Sequence, residues 1–255
     1  MSDSIQRKSD LAEAYGRQWI DESEYWASLN YHVRYQDQFL DLVRPTASTK
    51  ILECGSGTGE IAQRVMEKFL MSDGPNVDFY LVDVSETLLK IISKRIVPPA
   101  RVRAHLIQAT AQELPFADDY FDRIYALSVL WYVSDPLKAV TDMLRVLKPG
   151  GIMCFDLISL LNPTGFLGNL SNKILSIGNN RQRVSYFLPS QINKCLREQN
   201  VEFNTVGYMP ILPTTLPGLG NLFNLFRTID WLPRTKNGFL IPTCNKVVYC
   251  VKKNA

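Results

Sequence analysis

A turn with glycine at every second position carries the residues of this chain that are best suited to chemistry. An apolar run ends at Glu53, and Gly55, Gly57 and Gly59 follow it. Because glycine has no side chain, the backbone can take left-handed torsions and lie directly against a ligand at the carboxyl end of a strand. Residues 60–69 have a helical pattern, and the free amides at the start of this helix would face the same ligand. The pattern predicts a nucleoside-cofactor site.

The spacing of the glycines distinguishes between cofactors. A dinucleotide fingerprint has glycine at its first, third and sixth positions, so that a pyrophosphate can rest on the start of the helix. Here the sixth position counted from Gly55 is Glu60, whose carboxylate would repel a diphosphate. The turn therefore favours a cofactor without phosphate that carries an amino acid and a sulfonium, and it disfavours a nicotinamide oxidoreductase.

Further elements follow in the order expected for a parallel α/β sheet. An apolar run ends at Asp83, 24 residues after Gly59, where a second strand would present a carboxylate to ribose hydroxyls. A third apolar run covers 102–107, a fourth begins at Tyr120, and a fifth covers 152–157 after a helix that ends in Lys-Pro-Gly-Gly. Asp83 is the strongest single candidate for a cofactor contact.

Together these elements, spread over residues 51–157, resemble the S-adenosylmethionine-dependent methyltransferases with a Rossmann-like core (class I), especially their small-molecule branch. The resemblance implies an α/β three-layer sandwich. Its seven-stranded sheet would be mostly parallel, with an antiparallel last strand. The resemblance also implies that S-adenosyl-L-methionine is the cofactor and that the reaction is methyl transfer.

The resemblance assigns roles to individual residues as well. It implies that Glu53 and the loop after it hold the methionine part of the cofactor, and that Asp83 binds both ribose hydroxyls. It places the adenine against Thr110 and Ala111, although the family usually has aspartate where Thr110 stands. A hydroxyl can still accept from the adenine amine, but it is the weaker contact. The cofactor residues expected in the core are Glu53, Gly55, Ser56, Gly57, Asp83, Val84, Thr110, Ala111 and Leu127.

The amino-terminal residues, 1–45, are helical in pattern and rich in aromatic side chains, and we expect them to form a cap over the cofactor. Residues 46–158 form the predicted cofactor-binding core. By position in the cap, the candidate cofactor contacts are Tyr25, Trp26, Tyr31 and Arg34. Packing of the aromatic rings on the sheet explains their presence equally well.

Two insertions, 159–188 and 209–243, complete a single domain over residues 1–255. Apolar helices are expected in both, and a long loop inside a compact domain is usually functional. We expect the insertions to act as lids that wall a pocket for a hydrophobic acceptor. A dimer contact and a membrane-surface contact are alternatives. The apolar segment at 219–231 has one arginine and one aspartate, too few basic residues for strong anchoring to anionic lipid.

Composition favours a protein that does not bind nucleic acid. The 255 residues include 28 lysines and arginines against 25 acidic residues, for a formal charge of +3, whereas a nucleic-acid surface needs clustered basic residues. The five cysteines lack paired metal-ligand spacing, which predicts no metal site and a reducing compartment. The start of the chain lacks an apolar signal core, and no run reaches membrane-spanning length. We therefore expect a cytoplasmic protein.

Few side chains could take a proton from an acceptor. Of the two histidines, His32 lies in the cap and could act as a general base. His105 lies in the third strand, where packing or surface exposure is expected. Trp131 and Tyr132 follow the fourth strand, where ligands collect in this type of fold, and are candidate acceptor contacts. Methyl transfer depends mainly on placement of the reacting atoms, so the role of His32 is a hypothesis.

The favoured function is methyl transfer from S-adenosylmethionine to oxygen or nitrogen, in preference to carbon, of a small, largely apolar acceptor such as a specialised metabolite. The Tyr25–Trp26 pair suggests methylation of a protein amino terminus as an alternative. A second alternative is a non-catalytic module that binds the cofactor and regulates a partner. The acceptor, the methylated atom and the oligomeric state are left open, because one fold hosts many acceptors.

Overall fold

The protein has a central β-sheet with helices on both faces. Its strands are β1 (Lys50–Cys54), β2 (Val77–Asp83), β3 (Val102–Gln108), β4 (Phe121–Ala126), β5 (Leu147–Ile158), β6 (Glu202–Tyr208), β7 (Arg234–Lys236) and β8 (Lys246–Lys252). The computed structural model describes residues 13–14, 16–17, 20, 30–43, 50–71, 73, 76–161, 185–208, 234–236 and 246–254.

Helices connect most of the strands in the described residues. They are α1 (Asn30–Val43), α2 (Glu60–Val65) with a π-helical extension (Met66–Leu70), α3 (Glu86–Arg95), a 3₁₀ turn (Leu130–Tyr132), α4 (Pro136–Val146) and α5 (Pro189–Glu198).

The strand order is β3-β2-β1-β4-β5-β8-β6-β7. Strands β1 to β5 pair in parallel, whereas β8 runs antiparallel to both β5 and β6. The predicted Rossmann-like sheet with its reversed last strand is confirmed. Because the chain crosses from β3 to the other side of β1, the carboxyl ends of β1 and β4 border a crevice at a topological switch point, where ligands bind in such sheets.

The edge of the sheet differs from the prediction. A short additional strand, β7, pairs antiparallel with β6, and it lies within the lid predicted at 209–243. Most of this lid, and residues 162–184 of the other one, fall outside the described residues. The fifth strand begins at Leu147 and not at residue 152, because its first residues already pair with Phe121 of β4 before a register shift.

Alternation along the strands builds a core on each face of the sheet. On β2, Phe79 and Leu81 contribute to the cluster under α1, α2 and α3, whereas Tyr80 and Val82 contribute to the cluster under α4 and α5. Successive side chains of a strand point to opposite faces, so the near-continuous apolar runs in the sequence are those of strands buried on both sides.

The helix starts near the crevice have caps that the sequence encodes. The Oδ1 atom of Asp135 accepts a hydrogen bond from Lys138 N at 3.0 Å, and Pro136 occupies the first helical turn. An aspartate cap followed by proline is a favoured way to begin a helix. In the same way, Ser85 Oγ accepts from Leu88 N at 3.3 Å at the start of α3.

Helix α1 packs on the sheet. Tyr35, Phe39, Leu40 and Val43 are buried in the cluster that also contains residues of β1, β2 and β5. For these positions, packing on the sheet is the explanation that the structure supports. His105 also packs as expected, because its ring stacks on Tyr80 at a centroid distance of 4.4 Å.

In the part of the chain that the structure describes, no helix is long and apolar enough to cross a membrane.

Candidate functional site

The glycine turn after β1 folds back onto the end of β2. Gly55, Gly57 and Gly59 have φ values of +72°, +54° and +79°, in the left-handed region where a Cβ atom is unfavourable. The amides of Gly55 and Ser56 both donate to the carbonyl oxygen of Val82, at 2.7 and 3.0 Å. The turn is therefore fixed to the neighbouring strand by its own backbone.

There is no room for a side chain at the first glycine. A Cβ atom on Gly55 would lie 2.3 Å from Cγ2 of Val129, a residue of the loop after β4. At Gly59 the corresponding distance, to Cδ1 of Ile96, is 3.0 Å. The close approach of the turn to the β4 loop requires glycine at residue 55 for space as well as for torsion.

Asp83 ties the turn to the end of β2. Its Oδ2 atom accepts from Gly57 N at 2.9 Å, and its Oδ1 atom accepts from Ser85 N at 3.0 Å. The residue is buried, and burial raises the pKa of its carboxyl, although the hydrogen bonds from backbone amides act in the opposite direction. This predicted ribose contact thus has a second role, because it holds the glycine turn in place.

Glu53 is the second buried carboxylate at this end of the sheet. It is 3% exposed, and its Oε2 atom accepts a hydrogen bond from the Tyr125 hydroxyl at 3.3 Å. Burial raises its pKa well above the usual value, the Tyr125 bond opposes this, and the nearby charge of Asp83 adds to it. Tyr125 was missed in the sequence, where it is one of several aromatic residues in an apolar run.

The adenine side of the predicted site is formed by the chain after β3. Ala109 N donates to the carbonyl oxygen of Asp83 at 3.1 Å, which brings Thr110 and the buried Ala111 next to the end of β2. The Thr110 hydroxyl already accepts from Gln112 N at 3.3 Å. Its assignment as an adenine contact remains a prediction.

The two hydrophobic residues expected at the cofactor occupy different environments. Val84, after β2, is 38% exposed, and Leu127, after β4, is 8% exposed. The exposed position of Val84 leaves it accessible to a ligand, while Leu127 belongs to the buried cluster under α1, α2 and α3.

The predicted contacts from the cap are only partly described. Tyr25 and Trp26 lie outside the described residues, and for Tyr31, His32 and Arg34 only the backbone, in α1, is described. Their assignments remain predictions.

An earlier part of the cap reaches the cofactor side of the sheet. Glu13 Oε1 accepts from Glu86 N at 2.7 Å, and its Oε2 atom accepts from the Ser85 hydroxyl at 3.2 Å. These bonds hold residue 13 over the start of α3, two residues beyond Asp83.

The residues predicted to contact the acceptor follow β4. Trp131 is 5% exposed and Tyr132 is half-buried, and both lie in the 3₁₀ turn. The Trp131 carbonyl accepts from Ser185 N at 2.7 Å, so Ser185, near the end of the first lid, lies against this 3₁₀ turn. Burial raises the pKa of the adjacent Tyr186, with a further contribution from Tyr132.

A buried polar cluster beside Trp131 was not predicted. Its central residue is Asp156 of β5, which is fully buried and accepts hydrogen bonds of 2.6 Å from the Tyr35 hydroxyl and from Ser128 N. The Lys246 ammonium lies 3.8 Å from Asp156 Oδ2. An aspartate inside an apolar strand was the available sequence signal, but its partners come from distant parts of the chain.

Comparison with known proteins agrees with this geometry. Residues 52–155 match the family described as a methyltransferase domain. The ubiquinone/menaquinone biosynthesis C-methyltransferase UbiE of Proteus mirabilis is 38% identical over 103 residues, which are 40% of this chain and 39% of that protein. The demethylmenaquinone methyltransferase of Listeria monocytogenes is 31% identical over 130 residues, 51% of this chain and 53% of that protein. The chain thus matches only about half, or less, of these relatives' length.

Solved structures match over more of the chain. A Thermotoga maritima S-adenosylmethionine-dependent methyltransferase, a possible histamine N-methyltransferase, has a TM-score of 0.59 at 19% identity, over 93% of this chain and 97% of that one. The [4+2]-cyclase SpnF has a TM-score of 0.58 at 18% identity, over 88% and 81%. Such likeness shows the fold. With the family match, it confirms the predicted methyltransferase core and its S-adenosylmethionine dependence.

Gly55→Ala should destabilise the protein more than Gly150→Ala. Both glycines have a similar positive φ, +72° and +76°, so each substitution carries a backbone cost of about 1–2 kcal/mol. At Gly150 nothing lies within 4 Å of the added atom, whereas at Gly55 it meets Val129. We expect an additional loss of about 1–3 kcal/mol for Gly55→Ala, measured by urea unfolding. Equal losses would contradict the clash, and Val129→Ala added to Gly55→Ala should recover part of the difference.

Asp83→Asn should weaken binding of S-adenosylmethionine by about tenfold or more, because a charge-assisted hydrogen bond to ribose is lost. Isothermal titration calorimetry measures the effect. Asp78→Asn is the matched control, since Asp78 lies at the other end of β2 and contacts His105. Similar losses of affinity in the two variants would refute the assignment of Asp83.

Glu53→Gln should raise the melting temperature of the ligand-free protein, and more at pH 8 than at pH 5. The raised pKa means that the folded chain keeps a proton that the unfolded chain has lost, so stability falls as the pH rises above the ordinary carboxyl pKa. Glutamine removes this loss and can still accept from Tyr125. Thermal melts of the wild type and of Glu53→Gln at both pH values test this prediction. Glu113→Gln, which changes an exposed residue, is the control. A gain that is no larger at pH 8 would contradict the expected sign.

Proposed function

We propose that this chain, whose residues 52–155 form a class I S-adenosylmethionine-dependent methyltransferase domain, transfers a methyl group to a small, largely apolar acceptor. The observation that carries the proposal is the pair of buried carboxylates, Glu53 and Asp83, on either side of a glycine-rich turn. The largely buried apolar side chains of Leu127 and Trp131, which follow β4, support an apolar acceptor.

The residues at the turn fit a cationic nucleoside without phosphate. Among the described residues, the hydrogen-bond partners of the two carboxylates are the Tyr125 phenol and the backbone amides of Gly57, Val84 and Ser85, and none of them is cationic. Buried carboxylates without a cationic partner are costly. A ligand with an ammonium and a sulfonium would offset this cost, whereas a diphosphate would increase it.

In this proposal the residues of the chain bind the cofactor and orient it. Glu53 pairs with the ammonium of the methionine part, Asp83 accepts from the ribose hydroxyls, and the turn lies against the ligand between them. When bound, S-adenosylmethionine supplies an electrophilic methyl group. We place the acceptor next to Leu127 and Trp131. Their apolar side chains exclude water, which favours alignment of the reacting atoms.

The methylated atom is the finer part of the proposal. The sequence favours oxygen or nitrogen, whereas the matched UbiE relative is named as a C-methyltransferase of ubiquinone/menaquinone biosynthesis. The family match covers residues 52–155, and the predicted lids after residue 158 lie outside that range. We therefore extend the proposal to carbon, with a quinone-type ring as one candidate acceptor.

His32 is proposed as a general base for a hydroxyl acceptor. Its backbone lies in α1, near the amino-terminal end of that helix. His32→Ala should reduce the turnover of such an acceptor while weakening S-adenosylmethionine binding less than Asp83→Ala does. A cytoplasmic location likewise stays a prediction.

A labelled transfer assay tests the proposed function. The purified chain is first titrated with S-adenosylmethionine and with its demethylated product, and is then incubated with methyl-labelled S-adenosylmethionine and extract of the source cells. Label in the organic phase, identified by mass spectrometry and NMR, is the expected result. The product's methyl position separates carbon from oxygen and nitrogen. Asp83→Asn is the control for enzyme-dependent transfer.

The other outcomes identify the alternatives. Label in precipitated protein would favour methylation of a protein amino terminus, and tight cofactor binding without any transfer would favour a regulatory module. A chain that binds neither S-adenosylmethionine nor its product would overturn the proposal.

A further inference from the structure

Lys246, the first residue of β8, is held among aromatic rings at the carboxyl edge of the sheet. Its Nζ atom lies 4.3 Å from the centre of the Tyr35 ring and 4.8 Å from the centre of the Trp131 ring. The side chain is 22% exposed. A cation in such a position is stabilised by the ring faces, and it retains contact with the solvent or with a ligand.

The hydrogen bonding of this ammonium is incomplete among the described residues. An ammonium has three donors, and the described hydrogen bond goes to Ser128 Oγ at 3.3 Å. The nearest carboxylate oxygen, Asp156 Oδ2, is 3.8 Å away and already accepts from Tyr35 at 2.6 Å. Asp156 therefore balances part of the charge of Lys246 without occupying its donors.

The position of Ser128 relates the ammonium to the reacting end of the site. Ser128 lies between Leu127, a predicted methionine contact, and Val129, which closes on Gly55. Its φ of +63° and the bond from its amide to Asp156 hold this left-handed turn against the cluster. The loop at 127–129 therefore has the glycine turn on one side, and Lys246 and Trp131 on the other.

The positive charge of Lys246 would repel a second cation bound nearby. In the proposed function the cofactor brings a sulfonium to the glycine turn, on the other side of the Ser128 loop, and like charges repel. An amine acceptor that became positive on methylation would add to this repulsion. An acceptor with an anionic oxygen would relieve it and would complete the hydrogen bonding of the ammonium.

We propose that Lys246 binds an ionised oxygen of the acceptor, and that the acceptor is therefore a phenol or an enol and not an amine. The inference rests on the proposed function and deepens it. The hydroxyl proton of the acceptor leaves to solvent, directly or through the proposed base His32, and Lys246 stays protonated beside the oxyanion. The oxyanion, or the ring carbon that it activates, bonds to the methyl carbon while the carbon–sulfur bond breaks and leaves its electron pair on sulfur. A methylated carbon then loses its proton to solvent.

The groups around Lys246 are consistent with this role. Asp156 comes from β5, the Tyr35 phenol comes from α1, and Tyr208 of β6 is its register partner on the sheet. Burial lowers the pKa of Lys246, and the charge of Asp156 opposes that shift. A bound oxyanion would act in the same direction as Asp156 and would favour the charged lysine.

The test uses 4-nitrophenol, whose ionised form absorbs visible light, and the similarly shaped 4-nitroaniline. Each is titrated into the full chain saturated with S-adenosylhomocysteine. We expect the pKa of 4-nitrophenol to fall on binding and the phenol to bind better than the aniline. Lys246→Met should abolish the pKa shift and weaken 4-nitrophenol binding about tenfold or more, as for loss of a charged hydrogen bond. It should leave 4-nitroaniline binding unchanged.

Two variants guard against a structural explanation. Lys246→Arg should retain the shift because it keeps the charge, and Lys252→Met, at the exposed far end of the same strand, should behave as the wild type. The inference is overturned if Lys246→Met retains the pKa shift of 4-nitrophenol, or if the wild type shows no shift and no preference for the phenol. In either case the proposed function still stands as long as the chain binds S-adenosylhomocysteine. A chain that does not bind S-adenosylhomocysteine overturns both.

Discussion

The burial of two carboxylates beside a turn of glycines is the constraint on which the rest of the site depends. Glu53 lies next to the end of β1 and Asp83 ends β2, and the turn after β1 has glycine at every second position. Asp83 bonds to the turn itself, so the predicted cofactor residue also has a structural role. Burial raises the pKa of both carboxyls. The proposed cationic ligand would offset the cost of burying them.

The acceptor side has the opposite arrangement of charge. There a buried aspartate, Asp156, is satisfied by short hydrogen bonds from Tyr35 and from the Ser128 backbone, and Lys246 lies next to it. Among the described residues, the acceptor side thus has a cation, whereas no cationic group bonds to Glu53 or Asp83. This asymmetry fits the proposed ligand pair, in which the cofactor is positive and the acceptor carries negative charge.

The family match is limited to the cofactor core. It covers residues 52–155, which include the glycine turn, Asp83 and Trp131. A [4+2]-cyclase has a similar fold, so the fold alone does not define the reaction. Our proposal places the acceptor next to residues of α1 and β8, outside the matched range. Function within this fold is decided by the residues that surround one edge of a shared sheet.

Spacing, torsion and periodicity in the sequence were enough to identify the cofactor turn and the successive strands β1 to β5, because these patterns act over a few residues. The family resemblance supplied the roles proposed for Glu53 and Asp83. The tertiary structure was needed to place Tyr125 on Glu53, Tyr35 on Asp156, and Lys246 beside Asp156. Those pairs are separated by 72, 121 and 90 residues. The contact between Lys246 and Asp156 exists because β8 pairs with β5, and no local pattern encodes that pairing.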